Sequence, residues 1–91
     1  VIYLELLRRY STVSVGKLRG GEIDFVASDA NGPHYYQVSQ TVLDESTLAR
    51  ELAPLQTVRD NHPKTLLTLD TVGLGDYQGI QHRNILDWLL E

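Results

Sequence analysis

Three β-patterned segments in succession, then a helical stripe, then one more apolar strand, constrain this 91-residue chain more than any other feature. Residues 11–18 are rich in β-branched side chains, with Val13 and Val15 on one face. Residues 22–28 alternate, which predicts Ile23, Phe25 and Ala27 on one face and Glu22, Asp24 and Val26 on the other. Residues 34–42 read as a Tyr-rich, β-branched third strand. Leu48, Leu52 and Leu55 then recur at i, i+4 and i+7 behind the acids and cap candidates Asp44, Glu45 and Ser46. Pro54 should kink or divide this helix near Ala53. Residues 64–70 form a short, mostly apolar strand expected to be covered on both faces. Strands joined by a helical crossover imply a mixed sheet with helices on its faces.

The flanks complete an α/β chain. Ile2, Leu6 and Tyr10 have helical spacing, residues 80–83 read as a short strand, and Asn84 is placed to cap a last helix. Residues 71–79, with Gly73, Gly75 and Gly79, read as a loop, and Arg19-Gly20-Gly21 as a tight turn. The expected order is α-β-β-β-α-β-(β)-α, a central mixed sheet flanked by helices in a single domain over 1–91. Helical pattern reaches both ends of the chain and no cap residue precedes the first helix. The segment therefore reads as a piece of a longer protein.

Composition removes several function classes. Apolar residues make up 42% of the chain, too many for a disordered segment. There is no cysteine, which excludes a disulfide scaffold, a thiolate metal site and a cysteine nucleophile. No apolar run approaches the roughly 20 residues of a membrane span, and no secretory leader is recognisable, so a cytoplasmic location without membrane contact is expected. Net charge is −4 but uneven. Residues 1–20 carry Arg8, Arg9, Lys17 and Arg19 against Glu5, whereas residues 21–91 carry four bases against eleven acids. Any nucleic-acid contact must then be weak and confined to Arg8, Arg9, Lys17 and Arg19.

The second and third strands hold the candidate chemistry. A register symmetric about the loop puts Ser28 opposite Pro33, hence Asp24 opposite Gln37 and Glu22 opposite Ser39. All four polar side chains would share one face, with Phe25 and Val38 on the other. An acid within Ile23-Asp24-Phe25 costs free energy unless it is paired, binds a cation or faces solvent. Periodicity does not choose between a shared site and an ordinary solvent face.

With Glu5 on an N-terminal helix, Gly21-Glu22-Ile23-Asp24-Phe25 and then Tyr36-Gln37-Val38-Ser39, the chain resembles the PD-(D/E)XK, restriction-endonuclease-like superfamily. More closely, it resembles the C-terminal domain of unknown function that follows the ATPase module in a family of bacterial and archaeal AAA-type ATPases. That likeness runs through Tyr3-Leu4-Glu5-Leu6-Leu7, Gly16-Lys17-Leu18, Arg50-Glu51, Pro63-Lys64 and Ile85-Leu86-Asp87-Trp88-Leu89-Leu90. It implies a restriction-endonuclease-like fold in which Glu5 and Asp24 would be metal-binding acids for Mg²⁺. Gln37 would stand where a second strand carboxylate is usual, and Ser39 where the catalytic lysine is usual. Gln37 brings no negative charge and Ser39 no cation, which leaves Lys17 on the neighbouring strand as the candidate displaced lysine.

The remaining candidates are ordinary. His34, His62 and His82 lack metal-ligand spacing, and surface or capping roles are expected. Gly73-Leu74-Gly75 lacks the context of a dinucleotide loop. No phosphate-binding loop is present, so an ATP site belongs to other parts of the parent protein and no cofactor is expected in this segment. Tyr35 and Tyr36 are adjacent and must point to opposite faces. The expectation is a non-catalytic accessory domain of an AAA-type ATPase. Its degenerate nuclease-like site would comprise Glu5, Glu22, Asp24, Gln37, Ser39 and Lys17. Its partners would be the N-terminal ATPase domain, nucleic acid or protein. The alternatives are a metal-dependent nuclease with a displaced lysine and a pure protein-docking module.

Overall fold

In the computed structural model, α1 (Ile2–Arg9) leads into three successive strands, β1 (Thr12–Leu18), β2 (Gly21–Asp29) and β3 (Gly32–Val38). Helix α2 (Glu45–Gln56) crosses over to β4 (Lys64–Thr68), followed by β5 (Gly75–Tyr77), β6 (Ile80–Asn84) and α3 (Ile85–Leu89). The structure describes residues 1–18, 21–58 and 60–91, and the side chains of 16–22 fall outside that description. The turn expected at Arg19-Gly20 therefore lies outside the described residues. The strands form one mixed sheet in the order β1-β2-β3-β4-β6-β5. Neighbours β1, β2 and β3 are antiparallel, β3, β4 and β6 are parallel, and β5 returns antiparallel on β6. Among the described residues no helix is long and apolar enough to cross a membrane.

The mixed α/β class and the element order follow the sequence, with one addition. Residues 75–77 of the expected loop form β5, paired to Ile80–His82 across a turn in which Gly79 takes a positive φ. Three residues, the first a glycine, are too short to show a period of two. The caps fall as expected: Asp44 accepts from the Thr47 N–H at 3.2 Å, and Asn84 Oδ1 accepts from the Leu86 and Asp87 N–H groups. Pro54 does not divide α2. It sits in the final turn, where the helix ends at Gln56 and only one carbonyl loses its donor.

Every residue of β4 is buried, as a parallel strand covered on both faces requires. Ile23, Leu52, Leu55, Leu66 and Ile80 make the core under α2. Leu6, Ala27, Tyr36, Leu67 and Trp88 make the core under α1 and α3. Gly32 closes the β2–β3 turn at φ +108°, and a Cβ there would lie 2.7 Å from His62 Cε1. The positive φ favours glycine there, whereas the His62 ring could give way to a Cβ.

The second core carries a polar chain. The Tyr10 hydroxyl contacts His34 Nδ1 and the Tyr36 hydroxyl, each at 2.9 Å, and His34 Nε2 meets Thr65 Oγ1 at 2.8 Å. Burial holds the His34 imidazole down at about 4, against 6.5 for an ordinary histidine. The unfolded chain then binds a proton that the folded chain refuses. Stability is expected to be full above pH 6.5 and to fall as pH drops toward 4, by about 3 kcal/mol for this group. Urea midpoints measured between pH 7 and 4 should show this slope, and His34→Gln should flatten it. A wild-type midpoint unchanged from pH 7 to 5 contradicts the assignment.

Candidate functional site

The β2–β3 ladder has the register read from the sequence, with Ser28 opposite Pro33 and Phe25 opposite Tyr36. It stops there. Asp24 and Gln37, next in line, are joined through side chains instead. The Asp24 N–H donates to Gln37 Oε1 at 2.7 Å, and the Val38 N–H donates to Asp24 Oδ2 at 2.9 Å. Beyond this brace β3 parts from β2 and follows β4, with the Ser39 N–H donating to the Leu67 carbonyl. The expected Glu22–Ser39 opposition is not part of the ladder, and the Glu22 side chain lies outside the described residues.

A bulge explains why strict alternation fails here. Ser14 pairs with Val26 but Gly16 pairs with Ile23, so two steps on β1 face three on β2. The extra residue falls at Asp24-Phe25 and reverses the side-chain sense. Ile23 consequently packs under α2 with Val26, while Phe25 and Ala27 pack with α1 and α3. The sequence expectation that Ile23 shares a face with Phe25 is corrected by this one inserted residue.

Gln37 is only 3% exposed, and both ends of its amide are occupied. Its Oε1 takes the Asp24 N–H and its Nε2 donates to the Glu51 carbonyl of α2 at 3.3 Å. It braces β2, β3 and α2 together. Glu51, matched in the sequence only as part of Arg50-Glu51, proves to be the second acid near Asp24. Partial burial and the Asp24 charge push its carboxyl above the ordinary range. No spacing rule could have flagged it, because it arrives from a helix 27 positions along the chain.

Glu5 lies elsewhere, on α1. Its Oε2 accepts from Arg8 and from Arg9 Nε at 2.6 Å, and these two guanidiniums lower its carboxyl to about 2. Arg9 is itself committed: its guanidinium lies 4.5 Å over the Trp88 ring and donates to the Trp88 carbonyl at 2.7 Å. Of the expected basic patch, Arg8 is well exposed and Arg9 is largely covered. The Lys17 side chain and Arg19 lie outside the described residues. Ser39 Oγ donates to the Thr41 carbonyl. Among the described residues, no group of three or more His, Asp or Glu side chains is placed to hold a metal.

A cavity of about 620 Å³ opens at the opposite end of β4, lined by Leu55, Asp60, His62, Lys64, Gln78 and Ile80. It contains none of the six residues of the expected nuclease-like site. Lys64, buried at its base, spends its ammonium on the Asp60 and His62 carbonyls and the Asp60 carboxylate. The remaining buried histidine, His82, receives the Thr68 hydroxyl at Nε2 at 2.7 Å and donates from Nδ1 to the Gly73 carbonyl. Thr68 is fully buried, so this pair fastens the β5 loop and presents no nucleophile.

No family model matches the chain, and no solved structure matches it. Over all 91 residues it is 35% identical to an uncharacterized protein of Haemophilus influenzae. The chain spans 22% of that protein's length.

Proposed function

We propose that this chain is a non-catalytic accessory domain of a larger AAA-type ATPase, built on a restriction-endonuclease-like framework whose site has been given over to structure. The observation that carries this reading is Gln37. The side chain standing where a second carboxylate is usual is buried and saturated by backbone partners on both sides. The order α1-β1-β2-β3-α2-β4, two antiparallel turns followed by a parallel crossover, is in keeping with the framework. The length of the H. influenzae relative is in keeping with a domain of a larger protein.

In this reading the oxygens that would hold Mg²⁺ are engaged elsewhere. Glu5 is held by Arg8 and Arg9, and Asp24 by the Val38 N–H. The expected result is therefore no plasmid nicking above a Glu5→Ala, Asp24→Ala control in Mg²⁺ or Mn²⁺. Metal-dependent cleavage that disappears in the control overturns the proposal. One observation favours the alternative of a metal-dependent nuclease: the Asp24 charge acts on the Glu51 carboxyl and raises it, so a second acid lies in the neighbourhood of Asp24. In that reading Glu51→Gln joins the control, and Lys17 is the displaced lysine.

Nucleic-acid contact would rest on Arg8, the more exposed of the two α1 arginines that share Glu5, together with Arg9, Lys17 and Arg19 of the N-terminal patch. Binding to duplex DNA should be weak and fall steeply with salt. Arg8→Glu with Arg9→Glu should weaken it sharply. Unchanged binding in that variant removes the N-terminal patch from the proposal and leaves protein contact as the domain's role.

A further inference from the structure

The two faces of the sheet are finished differently. The outward positions of α2 are Glu45, Ser46, Ala49, Arg50, Ala53 and Gln56, a polar and small surface. On the other face, apolar side chains join Arg8 and Asp87 at the outward positions. Tyr3, Leu4 and Leu7 of α1 are 47%, 68% and 43% exposed, and Leu86 beside α3's start is 60% exposed. Clustered exposed apolar groups of this kind mark contact surfaces.

Apart from Asp87 of α3, the charges on this face pair among themselves. Glu5 pairs with Arg8 and Arg9, and Glu91 pairs with Arg9 and Arg83. Covering such a face strands few ions, which is what a buried contact requires.

Both ends of the segment also lie on this face. Helix α1 begins at Ile2, α3 ends at Leu89, and the Arg9 guanidinium reaches the Glu91 carbonyl. In a protein of the length of the H. influenzae relative, more than three quarters of the polypeptide lies outside the matched segment. Whichever end of the segment joins that polypeptide, the junction lies on the α1–α3 side of the sheet. Tethering at such short range raises its effective concentration to about millimolar, so even a modest surface suffices for docking.

We infer that the α1–α3 face, centred on Leu4 and Leu7, is the docking surface for the domain that precedes this segment in the longer protein, and that the partner offers an apolar surface of low net charge. This rests on the accessory-domain reading and specifies which face makes the contact. The opposite, α2 face is left free.

The test compares the 91-residue chain with the full-length protein that carries it. Amide hydrogen exchange in residues 2–9 should be slower by about tenfold or more in the full-length protein, with α2 changing far less. Leu4→Asp with Leu7→Asp should remove that protection in the full-length protein. The same pair should leave the urea midpoint of the isolated chain nearly unchanged, since both side chains are exposed there. Equal exchange of α1 in the two proteins overturns the inference. So does a homodimer of the isolated chain that the same substitutions dissociate, because a second copy would then be the occupant. Nuclease activity would defeat the accessory reading without altering the exchange result, so the two failures are distinguishable.

Discussion

Trp88→Ala is expected to cost about 3–5 kcal/mol, enough to bring the domain to the edge of unfolding. A chain of this length has a total stability of about 5–13 kcal/mol. Trp88 is 1% exposed, in a last helix of only five residues. So short a helix has almost no stability of its own, and its position depends on what it buries. The indole packs 5.7 Å from the Tyr36 ring, and the Arg9 guanidinium lies over it. Removing it therefore frees α3, unseats Arg9 and loosens α1, whose only fully buried residue is Leu6. Urea unfolding followed by circular dichroism checks this, with Leu86→Ala as the control. Leu86 is exposed two residues away in the same helix, and its loss should change stability by no more than about 0.5 kcal/mol. Equal midpoints for the two variants would mean that α1 and α3 are held by something other than the indole.

The part of this architecture that local chemistry controls was legible in advance. The Ser28–Pro33 register follows from a symmetric turn, and Asp44 and Asn84 cap helices because their side-chain oxygens reach the first free N–H groups. The stripe of Leu48, Leu52 and Leu55 faces the core as its spacing requires. What escaped was set by neighbours. The bulge at Asp24-Phe25 is a relation between β1 and β2, and nothing within β2 announces it. β5 exists because β6 offers it an edge. The same distinction separates the site residues. Asp24 and Gln37 were joined by strand register alone. The ties of Glu5 to Arg8 and Arg9 follow from helical i+3 and i+4 spacing, which the strand-based reading did not apply. Glu51 reaches Asp24 only through the packing of α2 on the sheet.

Gln37→Glu is expected to destabilise the domain by about 2–4 kcal/mol at pH 7, even though it restores the residue type that a nuclease-like site would carry. The introduced carboxyl keeps the acceptor for the Asp24 N–H but loses the donor to the Glu51 carbonyl. It also places a third acid beside Asp24 and Glu51 at a position 3% exposed. Burial and like charge both favour its neutral form, so its folded pKa lies above the unfolded value. The penalty is then absent below about pH 4, where both states are protonated, and grows as pH rises through the folded value. Gln37→Met separates the causes. It loses both hydrogen bonds without adding charge, so it should cost about 1–2 kcal/mol with little dependence on pH. Adding Ser39→Lys should recover part of the loss only if the ammonium reaches the new carboxylate from its partly exposed position. Millimolar Mg²⁺ supplies the deciding measurement. A cation bound by the folded state alone raises stability in proportion to the logarithm of its concentration. Mg²⁺ that stabilises Gln37→Glu but not wild type or Gln37→Met would mean that one amide stands between this framework and a metal site. Mg²⁺ without effect on all three would mean that the strand ends around Asp24 have been rebuilt as a brace, and that restoring one charge does not restore a ligand set.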